Sequence, residues 1–123
     1  MGDEKPFDLE ERCELFAKEV RRFIRGLPRD VCNIEDAKQL ARASGSVGAN
    51  YIEANESMSR KEFVQKARIS RREAKESRYF LALVFVASDS KLASQREALR
   101  SEAAELIRIL SKMIGPRKDR FES

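Results

Sequence analysis

Apolar residues recur along the chain in steps of three and four, in four runs separated by short breaks. In the first run Cys13, Phe16, Ala17, Val20, Phe23, Ile24 and Leu27 share one side, which predicts a helix over about 8–25. Gly26, Leu27 and Pro28 stop it: Gly suits a left-handed C-terminal position, and Pro cannot continue a helix. The second helix, about 34–56, is predicted to start at Asn33 as cap, with Asp36 in its first turn. Ala37, Leu40, Ala41, Ser44, Val47, Gly48 and Tyr51 follow at helical spacing. Its centre, 44–49, is unusually small, and each interior glycine costs about 1 kcal/mol relative to alanine. That cost points to close approach by a neighbouring helix or a partner chain. A loop is the competing reading; the periodicity on both sides favours one continuous helix.

Ser59-Arg60-Lys61-Glu62 has the spacing of a capping box and opens the third helix, predicted over 60–88. It carries Phe63, Val64, Ala67, Ser70, Ala74, Ser77, Leu81, Val84 and Phe85 on one side. Such a helix spans roughly 40 Å and suits a bundle or an oligomer. The fourth, predicted over 90–114, carries Leu92, Leu99, Ala103, Leu106, Leu110 and Met113, the last five in the steps 4, 3, 4, 3 of a packing seam. Gly115 and Pro116 end it, before a charged tail at 117–123. Four helices with short connections predict an all-α, antiparallel up-down-up-down four-helix bundle, one domain over 1–123. The longest connection is expected between the first two helices, through Pro28.

Composition narrows the chemistry. The 123 residues include no histidine, five Gly and three Pro, too few turn residues for a β-sandwich or barrel. Without imidazole there is no His general base, no Ser-His-Asp or Cys-His nucleophile and no His metal ligand. Glu53 with Glu56, and Glu73 with Glu76, have i,i+3 spacing, but a di-iron bundle needs Glu-x-x-His. Ion pairing with Lys75, Arg72 or Arg60 is the expectation for these acids. No catalytic residue, metal or cofactor is expected. Cys13 and Cys32 make no disulfide framework, and Cys13 on an apolar face reads as a core residue. The first eight residues are short and charged, unlike a secretory signal, and the longest apolar run, 80–87, is far below a membrane span. A cytoplasmic protein with reduced thiols and no membrane partner is expected.

Charge adds a candidate surface. The net +4 divides unevenly: −3 over 1–36, +4 over 37–90 and +3 over 91–123. Arg68, Arg71, Arg72, Lys75 and Arg78 make the densest basic track, mostly on one side of the third helix, and Arg42, Arg60, Lys61 and Lys66 can widen it. Arginine suits phosphate because its planar donors match two oxygens at once. Ion pairs to acidic residues of a neighbouring subunit, such as Asp8, Glu10, Glu11 and Glu14, fit the track equally well. Tyr79 and Phe80 lie nearby without an RNP-like platform, so base-specific reading is not expected. Arg42, Ser46, Asn50 and Glu53 form a polar stripe on the second helix, which either faces water or holds helices two and three in register.

The stripe also carries a resemblance. Gln39-Leu40-Ala41-Arg42-Ala43-Ser44-Gly45-Ser46-Val47-Gly48-Ala49-Asn50-Tyr51-Ile52-Glu53 is similar to the hallmark Q-L-x-R-A-x-x-S-[IV]-x-x-N-I-A-E-G of the bacterial four-helix-bundle proteins named for 23S rRNA intervening sequences. Ser59-Arg60-Lys61-Glu62-Phe63 and Ile69-Ser70-Arg71-Arg72-Glu73-Ala74-Lys75-Glu76-Ser77-Arg78-Tyr79 resemble that family's third helix. Tyr51–Glu56 replaces the hallmark's ending, Ile69–Glu73 replaces the common Ile-Ala-[RK]-G-S, and Glu10-Glu11-Arg12-Cys13 stands near the usual Val-Trp. These departures suggest a subgroup. The resemblance implies a homo-pentameric ring with no established enzymatic activity. A related branch looks like the accessory protein of diversity-generating retroelements, which binds nucleic acid and a reverse transcriptase through a basic ring surface. The expected function is therefore RNA or DNA binding by an oligomer, with an interaction scaffold, such as a reverse-transcriptase accessory, as the alternative.

Overall fold

Side-chain caps set where each helix begins. A computed structural model of the chain describes residues 8–116 and contains four helices: α1 (Leu9–Arg25), α2 (Val31–Asn55), α3 (Arg60–Leu83) and α4 (Ser90–Ile114). No strand occurs among the described residues, and the charged tail at 117–123 lies outside them. Asp8, Asp30, Ser59 and Asp89 each accept a hydrogen bond from a backbone N–H of the following first turn. At α3 the capping box is complete: Ser59 Oγ accepts from Glu62 N at 3.1 Å, and Glu62 Oε1 accepts from Met58 N at 3.1 Å.

Two boundaries differ from the sequence expectation. α2 starts at Val31 because Asp30, not Asn33, is its cap, and Asp36 consequently lies beyond the first turn. Asn33 is instead buried and used elsewhere. α3 ends at Leu83, five residues before the expected Ser88. Beyond it the chain is extended at Val84, with Val84 and Val86 buried and Phe85 exposed, a two-residue alternation that helical spacing misreads. The α3–α4 connection, 84–89, is therefore the longest, rather than the one through Pro28. Gly26 caps α1 in a right-handed conformation, not a left-handed one, and a Cβ there would meet Leu92 Cδ2 of α4 at 3.3 Å. The glycine that does need positive φ is Gly115, at φ 88 after α4.

Each helix packs against two others in the circuit α1–α2–α3–α4–α1, as a bundle requires. α1 lies diagonally across from α3, and α2 across from α4. The α2–α3 interface is the largest and the α1–α4 interface the smallest. Phe16, Val20 and Phe23 of α1, Leu40 and Val47 of α2, Leu81 of α3 and Leu106 and Leu110 of α4 form a continuous core. The α4 seam ends on buried Ile114 and not on Met113, which is only partly buried. The small centre of α2 is helical throughout, as the periodicity favoured.

Cys13 is buried in this core and Cys32 is exposed. Burial, reinforced by nearby Glu102, pushes the Cys13 thiol up to about 12. One thiol per chain is expected to react with a disulfide dye in native buffer at mildly alkaline pH, and both in denaturant. Rapid reaction of both thiols in the native protein would contradict the packing of α1.

Candidate nucleic-acid interface

The polar stripe of α2 runs along its seam with α3, and its two ends cross that seam. Arg42 Nη1 lies 3.2 Å from Glu73 Oε1, and Nη2 lies 2.6 Å from Glu76 Oε1. Eleven residues on, Glu53 Oε1 meets Lys66 Nζ at 2.7 Å, a hydrogen bond that raises the lysine's pKa. Between them Ser70 Oγ of α3 donates to Val47 O at 2.7 Å in the buried interior. Asn50 Nδ2 turns back to Ser46 O at 2.9 Å and stays within α2. Arg42 and Glu53 thus tie α2 to α3, while the Asn50 side chain bonds within α2. Glu73 is buried, and its Oε1 lies at ion-pair distance from Arg42 but makes no well-directed hydrogen bond. The expected partners of Glu73 and Glu76 were on or near their own helix; the structure supplies Arg42 from α2 instead.

The basic track divides in two. Arg71 is half-buried, and its Nη1 donates to Ser111 Oγ of α4 at 3.0 Å. Arg60 donates to Met113 O at 2.9 Å and Ile114 O at 3.0 Å, satisfying the carbonyl end of α4, and lies 5.5 Å from the Phe63 ring centroid. These two, with Arg42, are engaged within the molecule. Lys61, Arg68, Arg72, Lys75 and Arg78 are exposed and have no ion-pair partner among the described residues.

Four of those five share a line. At 100° per residue, Lys61, Arg68, Arg72 and Lys75 fall within about 40° of one axis-parallel line on α3, and Arg78 lies to one side. The acids beside that line are occupied: Glu62 closes the capping box and Glu76 is held by Arg42. The outward face of α3 therefore carries a row of cations that form no ion pair with the acids beside it. A polyanion approaching it displaces only water and counterions. Sequence spacing found this row but not the inward turn of Arg60 and Arg71, which depends on α4.

The opposite corner has the other sign. A groove of about 610 Å³ between α1 and α2 is lined by Asp8, Glu10, Glu11 and Glu14 above a floor that includes Gly45 and Gly48. Among the described residues no three His, Cys, Asp or Glu side chains gather as a metal site, and no helix is long and apolar enough to cross a membrane.

The arrangement of the helices is shared with known proteins. A solved structure from Bacteroides thetaiotaomicron VPI-5482, a protein of unknown function from the S23 ribosomal protein family, superposes with a TM-score of 0.73 at 26% identity, covering 87% of this chain and 98% of that one. No curated protein matches the chain. The family model for 23S rRNA-intervening sequence protein matches residues 6–112, which include all four helices almost to the end of α4. By that match the chain belongs to the 23S rRNA-intervening sequence protein family.

Proposed function

We propose that this protein is a non-enzymatic RNA- or DNA-binding accessory protein, acting through the α3 ridge of a homo-oligomer. The observation that supports the reading is the row Lys61, Arg68, Arg72 and Lys75, exposed and without an ion-pair partner among the described residues, along one line of α3. In this reading the bundle is antiparallel, up-down-up-down, and assembles as a ring in the bacterial cytoplasm. A single chain at +4 is a weak polyanion binder, whereas five copies carry about +20 on one particle.

A salt titration of structured RNA binding tests this. Binding is expected at about 50 mM salt, weakening steeply as salt rises. The triple variant Arg68→Gln/Arg72→Gln/Lys75→Gln is expected to flatten the log–log salt slope by about 2–3. Arg42→Gln, which strips the partner from buried Glu73, is expected to lower stability and leave that slope unchanged. Absence of binding at about 50 mM salt overturns the proposal.

The charged corners also support a second reading, an oligomeric scaffold, for example for a reverse transcriptase, with the ridge seated on the acidic α1–α2 groove of the next subunit. Native mass measurement on the triple variant separates the two. Loss of the oligomer favours the scaffold; an intact oligomer that no longer binds RNA favours the first reading.

A further inference from the structure

We infer that the ridge takes single-stranded nucleic acid, with Tyr79 as a stacking platform for a base at its C-terminal end. The inference rests on the nucleic-acid reading above and narrows it to one class of strand. Tyr79 continues the cationic line, one turn beyond Lys75, and the line from Lys61 to Tyr79 spans roughly 27 Å. Tyr79 is 59% exposed, whereas Tyr51, the other tyrosine, is a buried core residue. Its role is therefore not core packing.

The ring is also held. Phe80 meets it edge-on, with centroids 5.2 Å apart and planes at 74°, and Phe80 itself packs against the core. A restrained aromatic face loses little freedom when a base stacks on it. Leu83, one turn beyond Tyr79 on α3, is exposed, as is Phe85 in the connection that follows. A row of cations leading to exposed rings provides backbone tracking and sequence-tolerant stacking, the two elements of single-strand binding.

A duplex fits this surface less well. Its bases are already stacked, so an aromatic ring gains nothing from them without opening the pairs. A lone helix can enter a major groove, but α3 is flanked by α2 and α4 and offers only its outward face. One line of cations also matches one phosphate strand better than two.

The test uses a fluorescein-labelled 20-nucleotide oligouridine, alone and annealed to oligoadenosine, with fluorescence anisotropy at fixed low salt. The single strand is expected to bind the full chain at least ten-fold more tightly than the duplex. Tyr79→Ala is expected to weaken single-strand binding roughly ten-fold with an unchanged salt slope. Tyr79→Phe is expected to bind like wild type. The chain has no Trp, so quenching of tyrosine emission by unlabelled oligouridine reports on Tyr79, and Tyr79→Phe is expected to remove most of it while binding persists. Circular dichroism checks that both variants keep their helices. Equal affinity for duplex and single strand, or wild-type affinity in Tyr79→Ala, overturns the inference. If the Arg68→Gln/Arg72→Gln/Lys75→Gln variant still weakens binding in that case, the nucleic-acid reading survives alone. If wild type binds neither strand, both fall.

Discussion

Asn33→Ala is expected to lower the unfolding free energy by about 3 kcal/mol, through hydrogen bonds between two loops rather than through lost apolar volume. Asn33 is 2% exposed. Its Nδ2 donates to Pro28 O at 3.0 Å and to Phe85 O at 2.9 Å, and its Oδ1 accepts from Phe85 N at 2.9 Å. One amide thereby fastens the α1–α2 connection to the α3–α4 connection. Truncation removes three hydrogen bonds of about 1 kcal/mol each and leaves their part-buried partners seeking water. For a chain of this size the midpoint of thermal unfolding should fall by roughly 10 °C. Asn33→Asp keeps the acceptor for Phe85 N–H but turns an oxygen toward the two carbonyls, so it should be at least as damaging at neutral pH. Urea denaturation measures both; losses below about 1 kcal/mol would show that the loops hold without the clamp.

Gly48→Leu is expected to be comparably destabilising, by about 3 kcal/mol, and to act on one interface. A Cβ at Gly48 would sit 3.1 Å from Cys13 Cβ and 3.9 Å from the Cys13 carbonyl carbon. The obstacle is thus the backbone-proximal part of α1, which no rotamer change can clear. Alanine brings the same close contact but regains helix propensity, so Gly48→Ala should shift stability little. Leucine adds three more carbons at that contact, and whatever part of them does not turn into the α1–α2 groove has to displace α1 from α2. Gly45 offers the control: a Cβ there meets only Arg21 Nη2, at 3.2 Å, the far end of a long side chain. Gly45→Ala should be neutral or stabilising by up to about 1 kcal/mol. Equal effects of leucine at 45 and 48 would refute the role of the Cys13 contact.

Both residues show what the sequence could and could not reveal. Periodicity located α1 and α4 almost to the residue, because their amphipathic stripes are long and unambiguous. The small centre of α2 announced a close approach, and Gly48 against Cys13 is that approach. Asn33 was misplaced as a cap because Asp30 and Asn33 are both good caps three residues apart; a contact 52 residues away, to Phe85, decides between them. Val84–Val86 reads as helix by apolar content, yet the chain leaves α3 there, held by Asn33 and by Arg96 Nη1 on Val84 O at 2.6 Å. Glu73 gave no local sign of burial, since its partner Arg42 lies on another helix. The row of cations was visible in the spacing. Which of them turn inward, and that Tyr79 turns outward, depended on the position of α4 and the core.

The small α1–α4 interface has a kinetic meaning. It is bridged at the surface by Arg12, whose Nε and Nη2 meet the two oxygens of Glu102 at 2.6 and 2.9 Å. α1 is also the shortest of the four helices, at 17 residues, and packs least on its neighbours, so its excursion away from the other three breaks the fewest contacts. Sub-global opening should begin there, ahead of complete unfolding. Cys13 lies on the face that such an opening uncovers. Its thiol is therefore a built-in clock for the departure of α1: the slow phase of its modification counts openings of one helix, while α2, α3 and α4 stay assembled.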